Sequence, residues 1–135
     1  MKETSTGVRV LFVGQYWPGS NTVYIARAFE RCGAVVHFLS DTALFPDWRG
    51  TRGRVARRLL RRHVIERECN DQLLACVERF QPDLVYVSNA DYCSPATLQA
   101  IRARSTPLMC FYHDVQWKNR QGSRFSENIG EFDLV

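Results

Sequence analysis

Val8-Arg9-Val10-Leu11-Phe12-Val13-Gly14-Gln15-Tyr16-Trp17-Pro18-Gly19-Ser20-Asn21 is the stretch from which the fold follows. Its first seven residues are short, β-branched and mostly apolar. Gly14 ends them, as suits a strand buried on both faces of a parallel sheet. Residues 15–19 then read as a loop, and Ser20 or Asn21 can cap a helix. Ile25, Ala28, Phe29 and Cys32 recur at helical spacing until Gly33 stops it. The product is a strand, a glycine-containing loop and a helix.

The rest of the chain repeats this alternation. Residues 34–39 predict a second strand, and 40–53, with Pro46 and two glycines, predict a loop. One long helix is expected from about residue 54 to 80, ending before Pro82, which disfavours helical geometry in the residue preceding it. Residues 84–88 predict a third strand. Ser94 or Pro95 opens a helix to about 104, and 107–112 predict a fourth strand. A polar loop over 114–128 leads to Phe132-Asp133-Leu134-Val135, which looks like a fifth strand beginning. Strands alternating with helices predict an α/β, Rossmann-like three-layer fold with a parallel sheet and right-handed crossovers. The expected strand order is 3-2-1-4-5. Because the chain stops on an apolar strand with no helix after it, it is expected to be the front part of a larger domain or protein.

With 135 residues, 45% of them apolar, there is material for one core and too much hydrophobicity for a disordered chain. No run approaches the roughly 20 apolar residues of a membrane span, and the polar start has no secretion-signal core. The expected location is cytoplasmic, with peripheral contact at the inner membrane face if the basic helix described below meets lipid. The five cysteines never form a Cys-x-x-Cys pair and read as reduced core fillers. His37, His63 and His113 lie far apart without ligand spacing, so no metal site is expected. Neither Gly-x-Gly-x-x-Gly nor Gly-Lys-Ser/Thr occurs in the first loop, which disfavours an ordinary dinucleotide fold and a phosphate-loop NTPase. No cofactor is expected.

In an open parallel sheet, ligands bind beyond the carboxyl ends of the strands, where successive connections leave on opposite faces. For the order 3-2-1-4-5 that point lies between strands one and four. Gly14 and Gly19 permit close backbone approach there, and the amides of Ser20, Asn21, Thr22 and Val23 at the helix start can bind an anion. The simpler alternative is that Gly14 ends a strand and Pro18-Gly19 makes a turn. After strand four, His113 and Asp114 could supply a general base and a hydrogen bond to a sugar or phosphate, although neighbours on a strand point opposite ways. After strand three, Asn89 and Asp91 could bond the hydroxyls of a polar ligand; turn chemistry and a cap at Ser94 explain them equally.

The net charge of +4 is unevenly built. Arg accounts for 16 of the 18 basic residues, and eight of these fall between Arg49 and Arg67. On a helix, Arg54, Arg57, Arg58, Arg61 and Arg62 share an arc of about 140°, with Val55, Ala56, Leu59, Leu60 and Val64 on the other side. The like charges repel, a cost that an anionic membrane surface or an acidic partner could relieve. A solvated helix face is the plainer reading. Nucleic acid is disfavoured because no aromatics are interleaved with the stripe.

Val10-Leu11-Phe12-Val13-Gly14, Trp17-Pro18-Gly19-Ser20-Asn21-Thr22, Tyr24-Ile25-Ala26-Arg27-Ala28-Phe29, Pro82-Asp83-Leu84-Val85-Tyr86-Val87-Ser88, Ser94-Pro95-Ala96-Thr97-Leu98 and Thr106-Pro107-Leu108 before His113-Asp114 together resemble the amino-terminal domain of a GT-B glycosyltransferase. Within that group, the likeness is to CgeB-related and family 4-like sugar transferases. Order and spacing carry this resemblance more than any single motif. It implies that residues 1–135 are the amino-terminal, acceptor-side domain of a two-domain enzyme, with a nucleotide-sugar donor held mainly by a carboxyl-terminal domain absent from this chain and a hydroxyl acceptor in the cleft. It further implies a role near the donor sugar for His113, and a donor-phosphate role for the loop from Gly14 to Asn21. This chain alone would then be inactive. Pro-Gly-Ser-Asn stands where many relatives carry a glycine pair. A different class of function is a non-catalytic, flavodoxin-like module that binds an anionic ligand, a membrane surface or a protein. A phosphorylated receiver is disfavoured, since strand one is followed by no acidic pair and strand three ends in Ser88-Asn89.

Overall fold

Four parallel strands form the sheet of the computed structural model, which describes residues 7–16, 18–40, 50–60, 64–88, 92–111 and 125–135. Strand β1 is Arg9–Gly14 and helix α1 is Asn21–Arg31; β2 is Val35–Ser40. Helices α2 (Thr51–Leu60) and α3 (Glu66–Phe80) follow, then β3 (Leu84–Ser88), α4 (Pro95–Arg102), β4 (Leu108–Phe111) and α5 (Phe125–Asn128), with a 3-10 turn at Ile129–Glu131. The α/β, Rossmann-like class read from the alternation is the class observed.

The strand order differs from the expected 3-2-1-4-5. It is β2-β1-β3-β4, so the third strand lies between the first and the fourth. β3 pairs with β1 from Val10↔Leu84 to Val13↔Val87 and with β4 from Val85↔Leu108 to Ser88↔Phe111. Burial gives the physical reason. Four of the five β3 residues are buried, which suits a strand flanked on both sides, whereas β2 is only half-buried and carries the exposed His37. A strand of that kind belongs at an edge.

Right-handed crossovers then dictate the layers. From β1 to β2 the chain moves one way along the sheet, and α1 covers the face bearing Val10, Phe12 and Tyr86. From β2 it returns past β1 to β3, so α3 and α4 must cover the opposite face. There Leu73, Val77, Leu98 and Ile101 pack on Leu11, Val13, Val85 and Val87. On the α1 face, Phe12 stacks on Tyr86 at 4.2 Å between centroids, and Phe29 meets both rings edge-on.

Three further expectations change. The long helix expected over 54–80 is described as helical over Thr51–Leu60 and Glu66–Phe80, with a wider π turn at Val64 and Ile65 leading into α3; residues 61–63 lie outside the described residues. The stretch expected to be loop up to residue 128 ends in α5. The fifth strand is realised as a single parallel bridge, Met109↔Leu134, with Cys110 donating to the Leu134 carbonyl at 2.9 Å. Asp133 Oδ2 accepts from the Leu108 amide at 2.8 Å and fixes that register. The five cysteines form no disulfide; Cys76, Cys93 and Cys110 fill core positions, but Cys32 is exposed at the end of α1.

Candidate functional site

The sequence of β1 ends in a buried glycine because two other elements press on it. A Cβ at Gly14 would lie 2.8 Å from Thr22 Cγ2 and 2.9 Å from Ser88 Cβ. Only a residue without a side chain lets the start of α1 and the carboxyl end of β3 close over the end of β1. Thr22 Oγ1 and Ser88 Oγ are hydrogen-bonded at 3.2 Å in this contact, and both residues are buried.

Ser20 sets the entry of α1. Its backbone is extended (φ −66°, ψ 131°), its hydroxyl accepts from the Thr22 amide at 3.2 Å, and the same hydroxyl donates to the Gln15 carbonyl at 3.1 Å. This is the expected cap, with a tie to the loop added. Ser20 O also accepts from Val23 N at 3.2 Å. The anion-binding row expected over residues 20–23 is therefore shorter: the amides of Thr22 and Val23 are engaged within the turn, leaving Gly19 and Asn21, both exposed, to face a ligand. No acidic side chain occupies the first turn of α1, so its positive dipole end is not neutralised locally. Gly19 has φ +89°, a left-handed conformation that favours glycine, and its Cβ position opens on free space.

The switch in direction of the connections falls between β1 and β3, not between strands one and four. The carboxyl ends meeting there belong to Gly14 and Ser88. β4 is two strand spacings, about 10 Å, from β1. Asn89 and Asp91 continue directly from Ser88 in sequence; they, His113 and Asp114 lie outside the described residues. The segment after them is held from beneath by Asn70 on α3, which donates to the Tyr92 carbonyl and accepts from the Ser94 amide, both at 2.9 Å. Ser94 caps α4 through its hydroxyl, accepting from the Thr97 amide at 3.2 Å, as its turn reading implied.

The Thr22 and Ser88 hydroxyls were not among the expected groups, Thr22 entering only through its amide, and Tyr16 was not singled out within its loop. The first two carried no signal, because their contact spans the fold. Tyr16 had one: an aromatic two residues after a strand-ending glycine. Its ring is exposed at the carboxyl edge and steadied by an edge-on contact with Phe38 at 5.1 Å, offering an apolar face to a flat ligand. Two open depressions lie at the other edge of the sheet. One is lined by Gly7, Val8, Gly33, Ala34 and Leu84, the other by Gln81, Pro82, Arg104 and Thr106. Neither contains a candidate residue. Among the described residues no group of three or more His, Cys, Asp or Glu could hold a metal ion, and no helix is long and apolar enough to cross a membrane.

Comparison with models of known protein families finds no match, and comparison with curated proteins finds none either. Among solved structures, the chain is similar to the glycosyltransferase SnogD from Streptomyces nogalater, at 18% identity and a TM-score of 0.49. The match covers 78% of this chain and 35% of SnogD, so the chain spans about a third of that protein's length.

Proposed function

We propose that the chain is the amino-terminal, acceptor-side domain of a glycosyltransferase that moves a sugar from a nucleotide-sugar donor to a hydroxyl acceptor. The observation that carries this reading is the switch in direction of the connections at the carboxyl ends of β1 and β3. There Gly14 draws in the start of α1 against Thr22 and Ser88, and Gly19 and Asn21 are left exposed at the positive end of the helix. Such a place suits a diphosphate. The residue pattern described above, with its likeness to GT-B amino-terminal domains, supplies the reaction class.

In this reading Gly19 and Asn21, set in place by the Ser20 cap, face the donor phosphates, and Tyr16 lies against the sugar or base. Asn89, Asp91 and Asp114 hold hydroxyls. His113 takes the proton of the acceptor hydroxyl as its oxygen bonds to the anomeric carbon, and the bond from that carbon to the phosphate oxygen breaks, its electron pair leaving with the nucleoside diphosphate. A carboxyl-terminal domain holds most of the donor.

The test is sugar-nucleotide turnover by this domain joined to such a second domain. His113→Ala should lower the rate by about 10²-fold or more, the usual range for a lost general base. Unchanged turnover removes His113 from proton transfer. Nucleoside diphosphate binding with no turnover by the joined protein favours the non-catalytic module instead.

A further inference from the structure

Helix α2 exposes both of its faces. Arg54 and Arg58 of the charged stripe are in solvent, as is Arg52 on the other side of the helix. The unexpected part is the apolar side: Val55 is 53% exposed, Leu59 72% and Leu60 40%. No described α2 residue is buried. Val55, Leu59 and Leu60 of the apolar stripe read from the sequence are exposed and join neither core cluster of the described residues.

Gly53 and closely spaced like charges weaken α2 as an isolated helix. Tertiary packing normally makes up the difference. Here the unpacked leucines and arginines form one continuous surface, and residues 50–65 contain no acid. That surface complements a phase that is anionic outside and hydrocarbon within. A nucleic acid would use the arginines but has no use for exposed leucines, and α2 offers it no aromatic ring for base stacking. An acidic protein would leave the same leucines to be matched.

We propose that α2 is an interfacial helix that docks the chain on an anionic lipid bilayer. Val55, Leu59 and Leu60 enter the boundary between headgroups and acyl chains. Arg54 and Arg58 bond the lipid phosphates while their stems lie along the apolar surface. The proposal does not depend on the glycosyltransferase reading.

Co-sedimentation of the full chain with phosphatidylcholine vesicles, with and without phosphatidylglycerol, tests it at low and high salt. Binding is expected only to the anionic vesicles and weakens with salt. Each arginine near such a surface contributes about fivefold, so Arg54→Gln with Arg58→Gln lowers partitioning by about 25-fold. Leu59→Asn with Leu60→Asn lowers it by about tenfold or more. Both pairs are surface changes and should leave the melting temperature unmoved. Hydrogen exchange on the unaltered chain needs no variant: the amides of 51–60 should slow on anionic vesicles. Absent vesicle binding, binding indifferent to the leucine pair, or exchange unchanged at 51–60 overturns the proposal. So does tighter binding to a single-stranded oligonucleotide that survives the leucine substitutions, which assigns the face to nucleic acid.

Discussion

Replacing Gly14 by alanine places a methyl group 2.8 Å from Thr22 Cγ2 and 2.9 Å from Ser88 Cβ. Neither neighbour is the loose end of a long side chain. Thr22 is held on the first turn of α1 by its bond to Ser88, and Ser88 Cβ is fixed to a central strand. Overpacking of this kind costs about 1–3 kcal/mol. Parting α1 from β3 to make room also stretches the Thr22–Ser88 hydrogen bond, worth about 0.5–1.5 kcal/mol. The sum, about 2–4 kcal/mol, corresponds to a Tm lowered by roughly 6–15 °C for a domain of this size. Thermal unfolding followed by circular dichroism measures it. Thr22→Ser removes the closer of the two clashing atoms and keeps the hydroxyl, so in that background Gly14→Ala should cost less by about 1 kcal/mol. Gly19→Ala is the control: it meets nothing within 4 Å and incurs only backbone strain at φ +89°, with no coupling to Thr22. A Gly14→Ala protein melting within about 2 °C of the parent, or a cost identical in both backgrounds, refutes the close-approach argument.

Asn70→Ala should destabilise by about 2–3 kcal/mol in urea titration, because the Tyr92 carbonyl and the Ser94 amide lose their shared partner. Leu59→Ser should shift stability by no more than about 0.5 kcal/mol, whereas Leu73→Ala, in the core, should cost about 2–5 kcal/mol. Equal costs for the two leucines would contradict the exposed placement of α2. Burial pushes the Tyr86 phenol up from 10.0 to about 12, with the Cys110 thiol adding to the rise. The unfolded chain therefore releases this proton first, and the stability tied to the neutral phenol is intact below pH 10.0 and lost as pH climbs toward 12. Chemical denaturation across that window should show the loss, and Tyr86→Phe should remove that part of it.

Local features of this fold were readable and distant ones were not. The Ser20 and Ser94 caps and the Gly33 stop lie within a few residues of the helices they bound, and each is where the sequence put it. Strand order is different in kind. Leu-Val-Tyr-Val in β3 is apolar enough for any interior position, and only its register against both β1 and β4 makes it central. His37 in β2 was the available sign of an edge strand. That one error moved the switch point by a strand and made Ser88, rather than the segment after β4, the direct neighbour of Gly14. The hydroxyl pair of Thr22 and Ser88 bridges 66 positions of sequence, so no local pattern announces it. The two faces of α2 were legible from residue spacing alone. That the apolar face would stay exposed was not, since periodicity reports which side is greasy and says nothing of what covers it.

The switch point between β1 and β3 is the foundation of the functional reading, and a nitrogen-15 NMR titration of the chain with a nucleoside diphosphate probes it directly. Saturable amide shifts centred on Gly19, Ser20 and Asn21, with Ser88 responding across the sheet, are expected. Shifts confined to α2, or to the depression between Gly7 and Leu84 at the opposite edge, contradict it.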